Sequence, residues 1–177
     1  MSVVVLTARR DRLPIVLALA LAALAMRGVA TWSFLVPLAG AAGVLGVQHR
    51  IATVTDRWTW ALVTGAGVTA VSLVRLALPG VPLHATVLGL MASVAAAIGE
   101  EIVFRRGLYG AFEHRGAVVA VVVSAAVFGL VHVPMYGWAV VPVDVGAGLL
   151  FGWQRWATGG WTSGAVTHVT ANLLGAF

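Results

Sequence analysis

Residues 85–104 read ATVLGLMASVAAAIGEEIVF, and the only charged side chains in that stretch are Glu100 and Glu101. About 20 predominantly apolar residues carry a helix across the hydrocarbon core of a bilayer. A charged side chain at that depth costs on the order of 3 kcal/mol, so two adjacent carboxylates there call for a reason. Working outward, runs of similar character occupy residues 13–29, 31–47, 59–78, 116–134, 138–154 and 160–177. The pattern predicts an all-α fold, a polytopic membrane helical bundle of about seven transmembrane helices.

The composition agrees. Of 177 residues, 60% are apolar and only 10% charged, and the mean hydropathy is +0.99. Soluble domains are about 45–50% apolar and about 25% charged. Burial in water is limited by surface-to-volume scaling, so the solvent for this surface is lipid. The chain has no Cys, which excludes disulfides, thiolate nucleophiles and Cys-ligated metals. The net charge of +5 is carried by Arg without any Lys. These Arg residues sit in short gaps between apolar runs, as topology anchors do. A nucleic-acid-binding face would need them clustered.

The Arg positions also orient the chain. With the N-terminus cytoplasmic, the inner segments are the N-terminal residues and 48–58, 105–115 and 155–159. They hold Arg9, Arg10, Arg12, Arg50, Arg57, Arg105, Arg106, Arg115 and Arg155. The outer loops, Pro79–His84 and Pro134–Trp138, hold none, which is the positive-inside asymmetry. Arg27 and Arg75 are the exceptions, and Arg75, beside Pro79 and Gly80, reads as snorkelling outward. The first run follows three Arg residues and reads as a retained signal anchor. A six-span variant, with the first two runs as a re-entrant hairpin, is the alternative. An Ala-, Val-, Gly- and Arg-rich chain without Lys further suggests a bacterial cytoplasmic membrane.

Ionisable groups at membrane depth are Glu100, Glu101, His132, Asp144 and His168, joined by the amide of Asn172. Arg105 stands one helical turn after Glu101 and can hold that carboxylate ionised and oriented. Glu100 then faces another sector, and two carboxylates in unlike environments separate acid and base roles. Phe128 and His132 share a helix face at i,i+4. A His there can share the activation of a water with a carboxylate. His168 and Asn172 repeat the spacing, and together form a plausible clamp for the oxyanion of a tetrahedral intermediate. Each pair taken alone also fits a plainer role: interfacial charge, a satisfied core His, or interhelical hydrogen bonding. Asp144, near Pro142, reads as lining the cavity or capping a break in its span.

The ordered set Glu100-Glu101-x-x-x-Arg105, Phe128-x-x-x-His132 and His168-x-x-x-Asn172 resembles the CAAX-protease and bacteriocin-processing family, also called the Abi family of membrane proteases. Gly148-Leu149-Leu150-Phe151-Gly152-Trp153 and Thr158-Gly159-Gly160-Trp161 look like that family's glycine-bearing sixth span and its turn. The resemblance covers about Ala85 to Leu174. It implies an intramembrane endopeptidase whose cavity opens to the cytoplasm. Residues 1–80 would then be structural spans and 81–177 the catalytic core. Carried over, Glu100 would activate water with help from His132, while Glu101, held by Arg105, would orient the site. His168 and Asn172 would stabilise the oxyanion, and Phe128 would shape the substrate pocket. A mechanism without a cofactor is favoured, and the alternative is a zinc ion on Glu100, His132 and His168. The expected partners are the lipid bilayer and a membrane-embedded or lipidated peptide or protein, not nucleic acid. CAAX-like proteins, bacteriocin leaders and regulatory proteins are the candidate substrates. A proton- or metal-coupled transporter and a non-catalytic immunity or scaffold protein are the other classes such residues serve. Against the transporter stand the lack of an inverted repeat and too few spans for two halves.

Overall fold

A computed structural model of the protein describes residues 13–26, 35–47, 56–77 and 86–175. Expectations resting on Arg9, Arg10, Arg12, Arg27, Arg50 and the Pro79–His84 loop lie outside the described residues. Seven helices account for the rest, without a strand among the described residues. They are α1 (Leu13–Met26), α2 (Leu35–Val47), α3 (Arg57–Ala77), α4 (Val87–Arg115), α5 (Ala117–Tyr136), α6 (Val141–Thr158) and α7 (Thr162–Leu174). By length and composition, α3, α4 and α5 are apolar and long enough to cross a membrane, while α1 and α2 are shorter apolar helices. Large apolar side chains such as Leu62, Leu76 and Val118 point outward, as lipid-facing positions require.

Two turns fix the bundle's order. Gly116 (φ 105°) reverses the chain between α4 and α5, and Gly159 (φ 68°) ends α6 in the left-handed region, where a side chain would strain the backbone. α1 pairs with α2, α2 lies on α4, and α5 runs along α6. The last helix, α7, packs against α3, α4 and α6, and so sits at the centre of the C-terminal half. Lipid gives no hydrophobic drive for helices to meet, so close packing and polar contacts must hold them. Small residues allow that closeness. A Cβ on Gly148 would stand 2.8 Å from Ala125 Cα, and one on Gly99 would stand 2.8 Å from the Pro37 backbone. Polar ties add to it: Gln154 of α6 donates to Val63 O (3.1 Å) and Thr167 Oγ1 (2.9 Å), and Thr64 of α3 donates to Ser163 Oγ (2.9 Å).

Two expectations are corrected. Residues 105–115 are not a loop, since α4 continues through Arg115, with Ile102–Leu108 widened into a π-helix. Arg105 is therefore fully buried rather than interfacial. Residues 155–158 belong to α6, and Arg155 donates to Arg105 O (3.2 Å) and pairs with Glu113 (3.4 Å). Its planar fork finds these acceptors across the α4–α6 contact. Arg75 has a partner as well: its Nε donates to Leu174 O (2.8 Å), satisfying a carbonyl that the end of α7 leaves open.

Candidate active site

The site grows from the π-helical turn of α4. Such insertions add a residue to one turn and recur at functional positions. Here the widened turn follows directly on Glu100 and Glu101, and Val103, Phe104 and Arg105 are all wholly buried. Arg105 Nε faces Glu101 Oε2 at 3.4 Å, and its Nη2 donates to Gly148 O of α6 at 3.2 Å. The guanidinium lies over the rings of Phe128 (4.7 Å), Phe151 (5.2 Å) and Phe104 (5.7 Å). A charge taken out of water needs such compensation, here one carboxylate, one carbonyl and three π-faces.

Glu101 holds more than Arg105. Its Oε1 accepts from His168 Nδ1 of α7 at 3.0 Å. With the Nδ1–H donating to a carboxylate, the lone pair of a neutral ring sits at Nε2, which faces Glu100 Oε2 at 4.0 Å. His132 makes a parallel arrangement from α5. Its Nδ1 lies 2.7 Å from Phe128 O, a carbonyl that only accepts, so the proton belongs on Nδ1. The Nε2 of that ring faces Glu100 Oε2 at 3.7 Å. Both imidazoles therefore converge on one oxygen of Glu100, at separations longer than a direct hydrogen bond. Glu100, His132 and His168 are all buried.

Phe128 is packed among these groups, with ring centroids 4.8 Å from His132, 5.6 Å from His168 and 5.1 Å from Phe104. Phe151 stacks on His168 at 4.9 Å. Asn172 is not drawn into the cluster: its amide donates to Ser93 O at 3.5 Å, two turns before Glu100 on α4. Asp144, read from sequence as lining the cavity or capping a break, places Oδ2 3.3 Å from His132 Nδ1, a pairing the sequence did not show. The i,i+4 series Asp144, Gly148, Gly152 on the face of α6 turned to α5 could have revealed it. Gly164 leaves room for Glu101, whose Oε2 would stand 2.7 Å from a Cβ there. An open apolar groove of about 450 Å³, lined by residues including Leu38, Met91 and Ile98, runs beside α4 ahead of the glutamates. Among the described residues, no group of three or more His, Asp or Glu is arranged to hold a metal ion.

Apolar helices around a buried cluster of carboxylates and imidazoles define a helical membrane protein. The family model of the type II CAAX prenyl endopeptidase Rce1-like proteins matches residues 82–174, more than half of the chain and all of the clustered residues. The chain belongs to that family, whose class is that of a membrane endopeptidase. No curated protein and no solved structure matches it.

Proposed function

We propose that the protein is an intramembrane endopeptidase that hydrolyses a peptide bond with a water activated by Glu100 and His132. The observation that carries this reading is the convergence of His132 Nε2 and His168 Nε2 on Glu100 Oε2. A water at that point meets a carboxylate oxygen and an imidazole lone pair, both of which accept its protons. Its oxygen attacks the scissile carbonyl carbon as Glu100 takes the proton. Collapse of the tetrahedral intermediate breaks the C–N bond, and Glu100 returns the proton to the leaving amine.

Glu101 fixes the His168 ring, and Arg105 holds Glu101. His168 donates to the oxyanion only when Nε2 also carries a proton, since its Nδ1 is committed to Glu101. Asn172 supplies a second donor by exchanging its long bond to Ser93 O for the substrate carbonyl. Phe128 shapes the pocket and carries Arg105 on its face. Residues 81–177 form the catalytic core and 1–80 its structural support. The substrate is a membrane-embedded or lipidated peptide or protein, whose apolar part the groove along α4 suits. The protein resides in a bacterial cytoplasmic membrane with its N-terminus inside. The mechanism needs no metal, because Glu100 and His132 between them accept the proton of the water.

The test is cleavage by purified protein in detergent of fluorogenic peptides, including a prenylated CAAX peptide and a glycine-type leader. Cleavage lost in Glu100→Ala and retained with a zinc chelator is the expected result. Full activity in Glu100→Ala overturns the reading. Chelator-sensitive cleavage instead makes Glu100, His132 and His168 zinc ligands.

A further inference from the structure

The proposed reaction leaves one buried carboxylate without a task. Asp144 lies in the first turn of α6 and is 6% exposed. Its carboxylate is directed at His132 Nδ1 (3.3 Å), on the side of the ring opposite the Nε2 that faces Glu100. His132 itself stands at a turn in α5, between the helical segments Ala117–Leu130 and Val133–Tyr136, where its N–H bonds to Gly129 O (3.3 Å) and its carbonyl accepts from Tyr136 N (2.9 Å), so its backbone is tied only within its own helix. The Phe128 carbonyl fixes where the ring proton sits, but it comes from the same helix and cannot fix the ring against the rest of the bundle. Asp144 comes from the neighbouring helix. Close packing delivers it: a Cβ on Gly129 would stand 2.7 Å from Val145 Cγ2, and one on Gly148 would meet Ala125.

We propose that Asp144 is a positioning residue for His132, as Glu101 is for His168. Each imidazole then has one carboxylate behind Nδ1 and Glu100 before Nε2, so the four helices α4, α5, α6 and α7 together aim two rings at one oxygen. A carboxylate behind a catalytic imidazole orients the ring and balances the positive charge that develops when it accepts a proton. The assignment rests on the hydrolytic reading of the cluster, and its test separates the two.

In cleavage assays, Asp144→Asn lowers kcat about 10-fold or more with KM within about twofold, the least effect seen when carboxylates behind functional histidines are removed. A packing role alone would lower the melting temperature and the folded yield while leaving kcat per folded molecule near wild type. The second readout needs no substrate. The protein has five histidines, and ¹⁵N-histidine labelling with His132→Gln for assignment isolates the His132 ring. Wild type shows a single ring state with the proton on Nδ1. Asp144→Ala, or Asp144→Ser if the alanine variant does not fold, gives a second ring state or averaged signals. An unchanged His132 ring in those variants overturns the proposal, whatever the protein cleaves. Cleavage that survives Glu100→Gln sinks the hydrolytic reading alone, because the ring spectrum still decides the role of Asp144.

Discussion

At the scale of single residues, Glu101 joins Arg105 on its own helix to His168 on α7. The first link is legible in the sequence, because i,i+4 on one helix is fixed by helical geometry. The second is not, since nothing in the spacing says which helix will lie across from Glu101. Arg105→Met leaves a wholly buried carboxylate without its cation. It should cost about 3–5 kcal/mol, the price of breaking a buried ion pair on one side. The shift in an SDS or thermal unfolding midpoint measures it. Gly164→Ala acts differently. The added methyl meets the end of the Glu101 side chain rather than backbone, so the protein folds while the carboxylate moves off His168. A displacement near 1 Å in such a site lowers rate about 100-fold. The prediction is a fall of that order in kcat at a near-unchanged melting temperature; loss of folding with no separable kinetic effect would refute it.

At the scale of elements, α4 and the α5–α6 pair decide where the chemistry sits. The apolar run that opens α4 is plain in the sequence, but its π-helical continuation to Leu108 is not. Arg105 and Arg106 read as the edge of a loop because charge commonly marks a span's end, whereas aromatic rings and Glu101 compensate Arg105 inside the bundle. Gly148 allows α6 to touch α5, and it also offers the carbonyl that Arg105 uses. Gly148→Ala puts a methyl against the Ala125 backbone and forces the helices apart. Overpacking of this kind costs about 1–3 kcal/mol, and here it should depress activity as well, because it moves Asp144 and Gly148 O together. Melting and cleavage measured on one preparation check both effects.

The start of α3 gives a pH-dependent case outside the span. Asp56 accepts from the Thr59 hydroxyl (2.7 Å) and from the Thr59 and Trp58 backbone N–H groups. These bonds, the Thr59 hydroxyl first, hold its carboxyl below the ordinary value of 3.8. A lowered value in the folded state means the cap stabilises the helix above pH 3.8 and loses that effect as pH falls through the folded value. Asp56→Ala should therefore lower the melting temperature at pH 7 and narrow its gap to wild type in acid. A gap independent of pH would show that the carboxylate's charge plays no part.

At the scale of the whole molecule, the orientation inferred from Arg placement is open to direct test in a chain with no native Cys. Arg115 and Ala139 are both exposed, at the two ends of α5 and its following turn. A membrane-impermeant maleimide on intact cells should label Ala139→Cys and should reach Arg115→Cys only after permeabilisation. The opposite pattern would invert the topology.

The sequence by itself determined the lipid solvent, the helical class, the places of most helices and the three motif pairs. Each of these follows from hydropathy or from i,i+4 spacing, which are properties of a chain read locally. Only the tertiary structure decided that His168 leans on Glu101 rather than standing with Asn172, that Arg75 closes the end of α7, and that Asp144 stands behind His132. Those are contacts between helices far apart in sequence. They are set by how closely small residues let the helices approach and by which buried polar atoms must find partners where there is no water.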